Sequence, residues 1–249
     1  MALVAAALST RGLQKVNEIM EGDETLRAGG RPNMFGKDLY FISFLGTPSA
    51  AQPWMLQFGG HHLALNITVA GARGVLTPSL IAAQPGQFSL GGRTIRPMGG
   101  ESDRAAELFN SLNDGQKKQA ILDFRLADLV LGPGNDGRTI TPEGLKASAL
   151  NDSQRAKLLE VIGEWANIIH DSAAAERMAE IRANLSETWF AWSGPASATV
   201  GRNIESYYRI QGPTLVIEYA PQRGDPAMHI HSMYRDPTND YGAKLTGGK

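Results

Sequence analysis

The sequence predicts an α+β fold: one mixed or antiparallel sheet built from strands at both ends of the chain, with central helices packed on it. Three observations carry that prediction. Runs rich in aromatic and β-branched residues fall at 39–69 and again at 187–219, where strands are expected. Between them apolar residues recur at helical spacing. The chain has 249 residues and is 42% hydrophobic, enough to bury a full core as a single domain. The helices then form an insert at about 101–185.

Each element has its own justification. Ala2 to Leu8 is an apolar run too short to span a membrane and without the basic start of a signal peptide, so it reads as the end of a helix or a short helix. Leu13, Val16, Ile19 and Met20 continue at helical spacing, with Ser9 or Thr10 as N-cap. Gly29-Gly30-Arg31-Pro32-Asn33 breaks that helix. Leu39–Leu45 is expected to be a buried strand, Trp54–Phe58 a second and His62–Val69 a third. In the third, Leu63, Leu65, Ile67 and Val69 alternate with His62, Ala64, Asn66 and Thr68. Residues 71–100, rich in Gly and Pro, read as a long loop with short strands.

Ala105, Leu108 and Leu112, then Ala120, Ile121, Phe124 and Leu126, suggest two helices around Asn113-Asp114-Gly115. Leu150–His170 is a strong amphipathic helix, and a further one is expected at Ala173–Leu185. Leu112-Asn113-Asp114-Gly115-Gln116 is echoed by Leu150-Asn151-Asp152-Ser153-Gln154, the grammar of repeated helix caps. His170, at the end of the long helix, is expected to be a favourable C-terminal cation or a solvated residue. Glu187–Gly194 reads as a strand. Ser206–Ile210 and Thr214–Tyr219 read as a hairpin turned by Gln211-Gly212-Pro213. In its second strand Glu218 is either edge-exposed or buried with a partner.

A net charge of −1 supplies no electrostatic reason to expect nucleic acid or an anionic membrane as partner. With no cysteine, disulfides and thiolate ligands are excluded. Any transition-metal site must come from His, carboxylates, Met or Tyr. The five histidines are unevenly spread: His61 and His62 are adjacent, and His229-Ile230-His231 would present two imidazoles on one strand face. One reading joins these clusters in a single metal site; the other makes them hydrogen-bonded strand-end residues.

Several motifs also carry a family resemblance. Pro53-Trp54 with Gly60-His61-His62, Thr188-Trp189-Phe190-Ala191-Trp192, Tyr208-Arg209-Ile210 with Gly212-Pro213 and Glu218, His229-Ile230-His231, and Arg235-Asp236-Pro237 with Asn239-Asp240-Tyr241-Gly242 occur in this order. Together they resemble the family known as domain of unknown function 3500, over nearly the whole chain. Members of that family are longer, with further helices upstream, so the resemblance implies a trimmed member or an absent N-terminal portion. A secreted or periplasmic location is then compatible with removal of an upstream signal. The family name implies no activity.

The chemistry of the residues points first to a metal-dependent hydrolase with zinc held by His61, His62, His229 and His231. His62 and Asn66, followed by His-x-His, resemble in spacing the layout of lysostaphin-type zinc peptidases, with Asn66 where an acid is expected. Glu218 or Asp236 could supply the missing charge; Glu218, Glu187 or Asp236 could serve as general base, and Arg235 as a clamp on a substrate carboxylate or oxyanion. Asp240 would orient a histidine. The same imidazoles with Met228 and Met233 resemble, in ligand types, the copper sites of peptidylglycine-hydroxylating enzymes, so a copper or non-haem iron oxidoreductase is the second reading. A third is a sugar or peptide binder lined by Trp54, Trp189, Trp192, Tyr207, Tyr208, Tyr234 and Tyr241. The Arg235–Tyr241 stretch also reads as a polar turn pinned by an Arg–Asp pair.

Overall fold

The computed structural model describes residues 1–30 and 33–247; Arg31 and Pro32, part of the loop expected at 29–33, lie outside the described residues. Two helices lead, α1 (Ala2–Ala7) and α2 (Thr10–Ala28), and the Ser9 hydroxyl caps the second by accepting from Gly12 N at 3.0 Å. Strands β1 (Phe41–Leu45), β2 (Trp54–Gly60) and β3 (Leu63–Ala70) form a meander, and β4 (Arg73–Val75) folds back on β3. Next come β5 (Ser79–Ile81) and a separate hairpin of β6 (Phe88–Leu90) and β7 (Arg93–Ile95). The centre holds α3 (Gly99–Ser111), α4 (Asp114–Ala120), β8 (Leu145–Lys146), α5 (Asp152–Ala166) and α6 (Asp171–Ala183). Strands β9 (Trp189–Ser193), β10 (Tyr207–Gly212), β11 (Leu215–Pro221) and β12 (Ile230–Arg235) follow, then α7 (Ala243–Thr246).

Ten of the strands make one antiparallel sheet in the order β1-β2-β3-β5-β12-β11-β10-β9-β8, with β4 also on β3. Strands from both ends of the chain thus share a sheet, as the patterning predicts. The seam is β5. Three residues long, it pairs with β3 through Leu63↔Ile81 and with β12 through Met233↔Leu80.

The sheet buries one face under helices. Leu65, Ile81, Ile217, Tyr208 and Trp192 point that way and are fully buried. Phe109 of α3 stacks on Trp192 with centroids 4.2 Å apart, and Trp165 of α5 donates its indole N–H to Ser232 Oγ at 3.1 Å. Full burial stabilises each such apolar side chain by about 1.5–3 kcal/mol relative to exposure. A Trp165→Ala change would remove both the packing and the bond that pins α5 to β12.

Residues 121–144 strap the other face. Val130 N and Leu131 N donate to Glu218 at 2.8 and 2.7 Å, Arg209 pairs with Glu143 at 2.7 Å, and Gln211 Nε2 donates to Ile140 O at 2.6 Å. Here the structure departs from the expected helix through Leu126. α4 ends at Ala120 because Ile121 bridges to Trp192 and Leu122 N donates to Trp192 O at 2.8 Å, which draws the chain onto the sheet. The expected burial of the first strand also fails. Every residue of β1 is exposed, because it is the edge strand and projects beyond the helical layer. His170 does not stand at the end of the long helix either: α5 stops at Ala166, and His170 is at the N-cap of α6, its Nδ1 2.9 Å from Ser172 Oγ. Among the described residues, no helix is long and apolar enough to cross a membrane.

Candidate metal centre

His61 and His62 occupy the two-residue turn of the β2–β3 hairpin, closed by the Gly60↔Leu63 pair. His229 stands just before β12 and His231 within it, on the sheet face opposite Ile230 and Ser232. A short hydrogen-bonded path joins the two clusters. Ala82 N donates to His62 O at 2.9 Å, while Ala83 and Ile230 exchange backbone bonds of 2.9 and 3.0 Å. The chain leaving β5 therefore holds the hairpin turn against the start of β12.

Three imidazole nitrogens converge as a result. His62 Nε2 is 3.2 Å from His229 Nε2, which is 3.1 Å from His231 Nε2, although His62 and His229 are 167 residues apart. One ring nitrogen carries either a lone pair or a single N–H, so His229 Nε2 cannot make straight hydrogen bonds to both neighbours. One cation can accept all three lone pairs. Burial, reinforced by the neighbouring His231 and His62, pushes the His229 pKa down to about 4. Burial likewise lowers His62 and His231, against the pull of Asp23 and Asp128 respectively. Near pH 7 the rings are therefore neutral and able to ligate.

Two carboxylates back the rings. Asp128, from the strap, has Oδ1 3.4 Å from His231 Nδ1 and accepts from Leu129 N at 2.7 Å and Gln222 Nε2 at 2.9 Å. Asp23, from α2, is buried, with Oδ1 3.1 Å from His61 Nδ1 and 3.6 Å from His62 Nδ1. Its Oδ2 accepts from Tyr40 OH at 2.7 Å. Burial alone would raise the Asp23 pKa, but the contacts with His61, His62 and Tyr40 prevail and hold it at about 2. Gly60 is what lets Tyr40 reach over the hairpin, since a Cβ there would lie 2.9 Å from the phenol ring. The glycine admits an aromatic ring of the protein itself.

The other residues expected at the site are engaged elsewhere. Glu218 is fully buried on the same sheet face but sits opposite Met233, and its oxygens accept from Val130 N, Leu131 N and Tyr207 OH. Arg235 is buried as well, bonding Asp240 at 2.9 Å and Asn135 O at 2.9 Å. Asp236 pairs with Arg177 at 3.0 Å and accepts from Thr238. These contacts engage the three of them away from the histidine cluster, where base and clamp roles were expected, and Asp240 bonds Arg235 where a histidine was expected. The reason is reach: Glu218 lies on β11 opposite Met233 and under the strap, Arg235 lies at the far end of β12 from His229, and Asp236 lies in the polar turn after it. Glu187 pairs with Lys146 at 2.6 Å, and Asn66 bonds Gln57 and Pro78 O. Of the aromatic residues proposed for a groove, Trp192, Tyr207, Tyr208 and Tyr234 are core.

Asp23 and Asp128 escaped the sequence reading. Asp23 had a signal: it falls at i+4 from Ile19 and i+7 from Val16, an acid on the buried stripe of α2. Asp128 had none, because the strap carries no periodic pattern beyond Leu126.

The chain belongs to the family described as Protein of unknown function (DUF3500), whose family model matches residues 1–243. No curated protein and no solved structure matches it.

Proposed function

We propose that this member of the family is a metal-dependent hydrolase whose ion, zinc in the first instance, is held by the Nε2 atoms of His62, His229 and His231. The observation that carries the reading is the convergence of those nitrogens. Separations of 3.1 and 3.2 Å suit ligands of one ion with bonds of roughly 2.0–2.1 Å. Three imidazoles leave a fourth position for water, and a zinc ion so held lowers the pKa of that water to roughly 7. His62 is buried while His229 and His231 are half-buried, so the fourth position opens toward solvent.

The protein's own groups do the rest. Asp128 fixes the ring of His231 through Nδ1, the usual service of a carboxylate behind a ligating histidine. The bound hydroxide would itself be the nucleophile. Small esters, peptides and glycosides are the substrates to try.

The test is zinc binding by calorimetry and elemental analysis, with turnover of that panel, on wild type and His229→Ala. The variant is expected to lose a tightly bound zinc and all hydrolysis. Unchanged zinc uptake by His229→Ala would overturn the reading. Copper or iron in the purified protein in place of zinc would turn it into a redox site.

A further inference from the structure

We propose a second cation site beside the first, formed by Asp23, His61 and His62, with the His62 ring bridging the two ions as an imidazolate. Sharing His62 ties the bridge to the three-histidine reading, but the second set of ligands stands on its own geometry. Asp23 Oδ1 faces His61 Nδ1 at 3.1 Å and His62 Nδ1 at 3.6 Å. These separations straddle the spacing of ligands on one small cation with bonds of roughly 2.0–2.1 Å. The three atoms form a group compatible with one ion, as do those of His62, His229 and His231.

Two further observations point to a ligand there. His62 is 3% exposed, and among the described residues its Nδ1 has no hydrogen-bond partner. At 3.6 Å the Asp23 oxygen is too far to satisfy it well. A buried polar nitrogen without a partner is costly, and a cation between ring and carboxylate removes that cost. Asp23 is also a buried anion at 1% exposure, and among the described residues the ion pairs give it only the two imidazoles. Buried carboxylates require compensation by positive charge or coordination.

The surroundings suit a built site. Tyr40 OH holds Oδ2 and leaves Oδ1 aimed at the two Nδ1 atoms. Phe35 packs on His61 with centroids 4.4 Å apart and fixes its ring. The His61 side chain is 32% exposed, so a water can complete the coordination from outside. His62 would give its one ring proton to solvent when both nitrogens are taken. The ions would lie about 6 Å apart, the span of two roughly 2 Å bonds and one imidazole ring.

The experiment titrates metal-free full-length protein with zinc, then repeats with Cu(II) and electron paramagnetic resonance. Wild type is expected to take up two zinc ions, and His61→Ala, altered at a part-exposed position, one. Asp23→Asn, which keeps size and an acceptor for Tyr40, should also take up one. Copper in wild type should lose most of its resonance intensity through coupling across the shared ring, and His61→Ala should regain the signal of an isolated ion. A single zinc in wild type, kept by both variants but lost in His229→Ala, would overturn the second site and leave the three-histidine site standing. A single zinc lost in His61→Ala but kept in His229→Ala would uphold the Asp23 site and sink the hydrolase reading. Two zinc ions with full copper intensity would overturn the bridge.

Discussion

Gln116 and Gln154, the third residues of two different helices, clasp each other: Gln116 Nε2 donates to Gln154 Oε1 at 3.0 Å, and Gln154 Nε2 donates to Gln116 Oε1 at 2.9 Å. Each also closes a capping box, Gln116 with Asn113 and Gln154 with Asn151. Their remaining N–H groups go to Ala149 O and Ser111 O. Both amides are thus fully used.

The clasp predicts non-additivity. Gln154→Ala, which also removes the donor to Ser111 O, should cost about 1–2 kcal/mol. Gln116→Ala should cost less, and the double variant less than the sum, with a coupling of about 0.5–2 kcal/mol in urea unfolding. Strict additivity would mean that the two caps are energetically separate.

Glu218 predicts a stability defect. Glu218→Gln keeps the shape but points an NH₂ at N–H donors of the strap, so roughly 2–3 kcal/mol should be lost. Residues 121–144 should become more sensitive to protease. Zinc binding per chain should persist in the folded fraction. If the variant is as stable as wild type and protease-resistant, Glu218 does not anchor the strap.

His231 and Asp128 predict a graded effect on the ion. His231→Ala and His231→Gln should each abolish tight zinc binding at the three-histidine site, with little change in the melting temperature of metal-free protein. The comparison needs metal-free samples because an ion that binds only the folded chain raises its apparent stability. Asp128→Asn should weaken zinc roughly 10–100-fold without abolishing it, the effect expected of a group that orients a ligand. Equal losses in His231→Ala and Asp128→Asn would contradict that ordering.

The lowered imidazole pKa values predict acid sensitivity. His229 titrates at about 4 in the folded protein and near 6.5 when unfolded, so the unfolded chain binds more protons between those values. Stability should be complete above about pH 6.5 and fall as pH drops toward 4. The shift sets a ceiling of about 3 kcal/mol, reduced to roughly 1 kcal/mol because the ring is partly in water. Between pH 7 and pH 4.5, metal-free wild type should lose roughly 1 kcal/mol more stability in denaturant than His229→Gln. Parallel losses in both proteins would assign the acid sensitivity to other groups.

Strand parity and helix periodicity are local properties, and they were legible. The alternation in β3, the buried stripe of α5 and the Asn-Asp-x-Gln caps of α4 and α5 all follow from side-chain direction along one element. β1 misled because its composition, Phe41 to Leu45, is that of a core strand, while its exposure depends on having no helix beneath it. Residues 121–126 misled for a related reason: their apolar spacing suits a helix, but the backbone bonds to Trp192 outweigh it.

By itself the sequence determined that this is an α+β protein with strands at both ends, helices between, and imidazoles gathered in two short motifs. It also placed His229 and His231 on one face, because successive strand residues alternate. Only the tertiary structure decided that the motifs meet. That meeting depends on β5, three residues in a Gly- and Pro-rich stretch too short to show a period, which pairs with β3 on one side and β12 on the other. Likewise Asp23, Tyr40 and Asp128 come from a helix, a loop and the strap, and nothing in their local patterns ties them to histidines far along the chain. Local geometry is written in neighbouring residues, whereas a site assembled across a sheet follows from which strands pair, and that is settled by the packing of the whole chain.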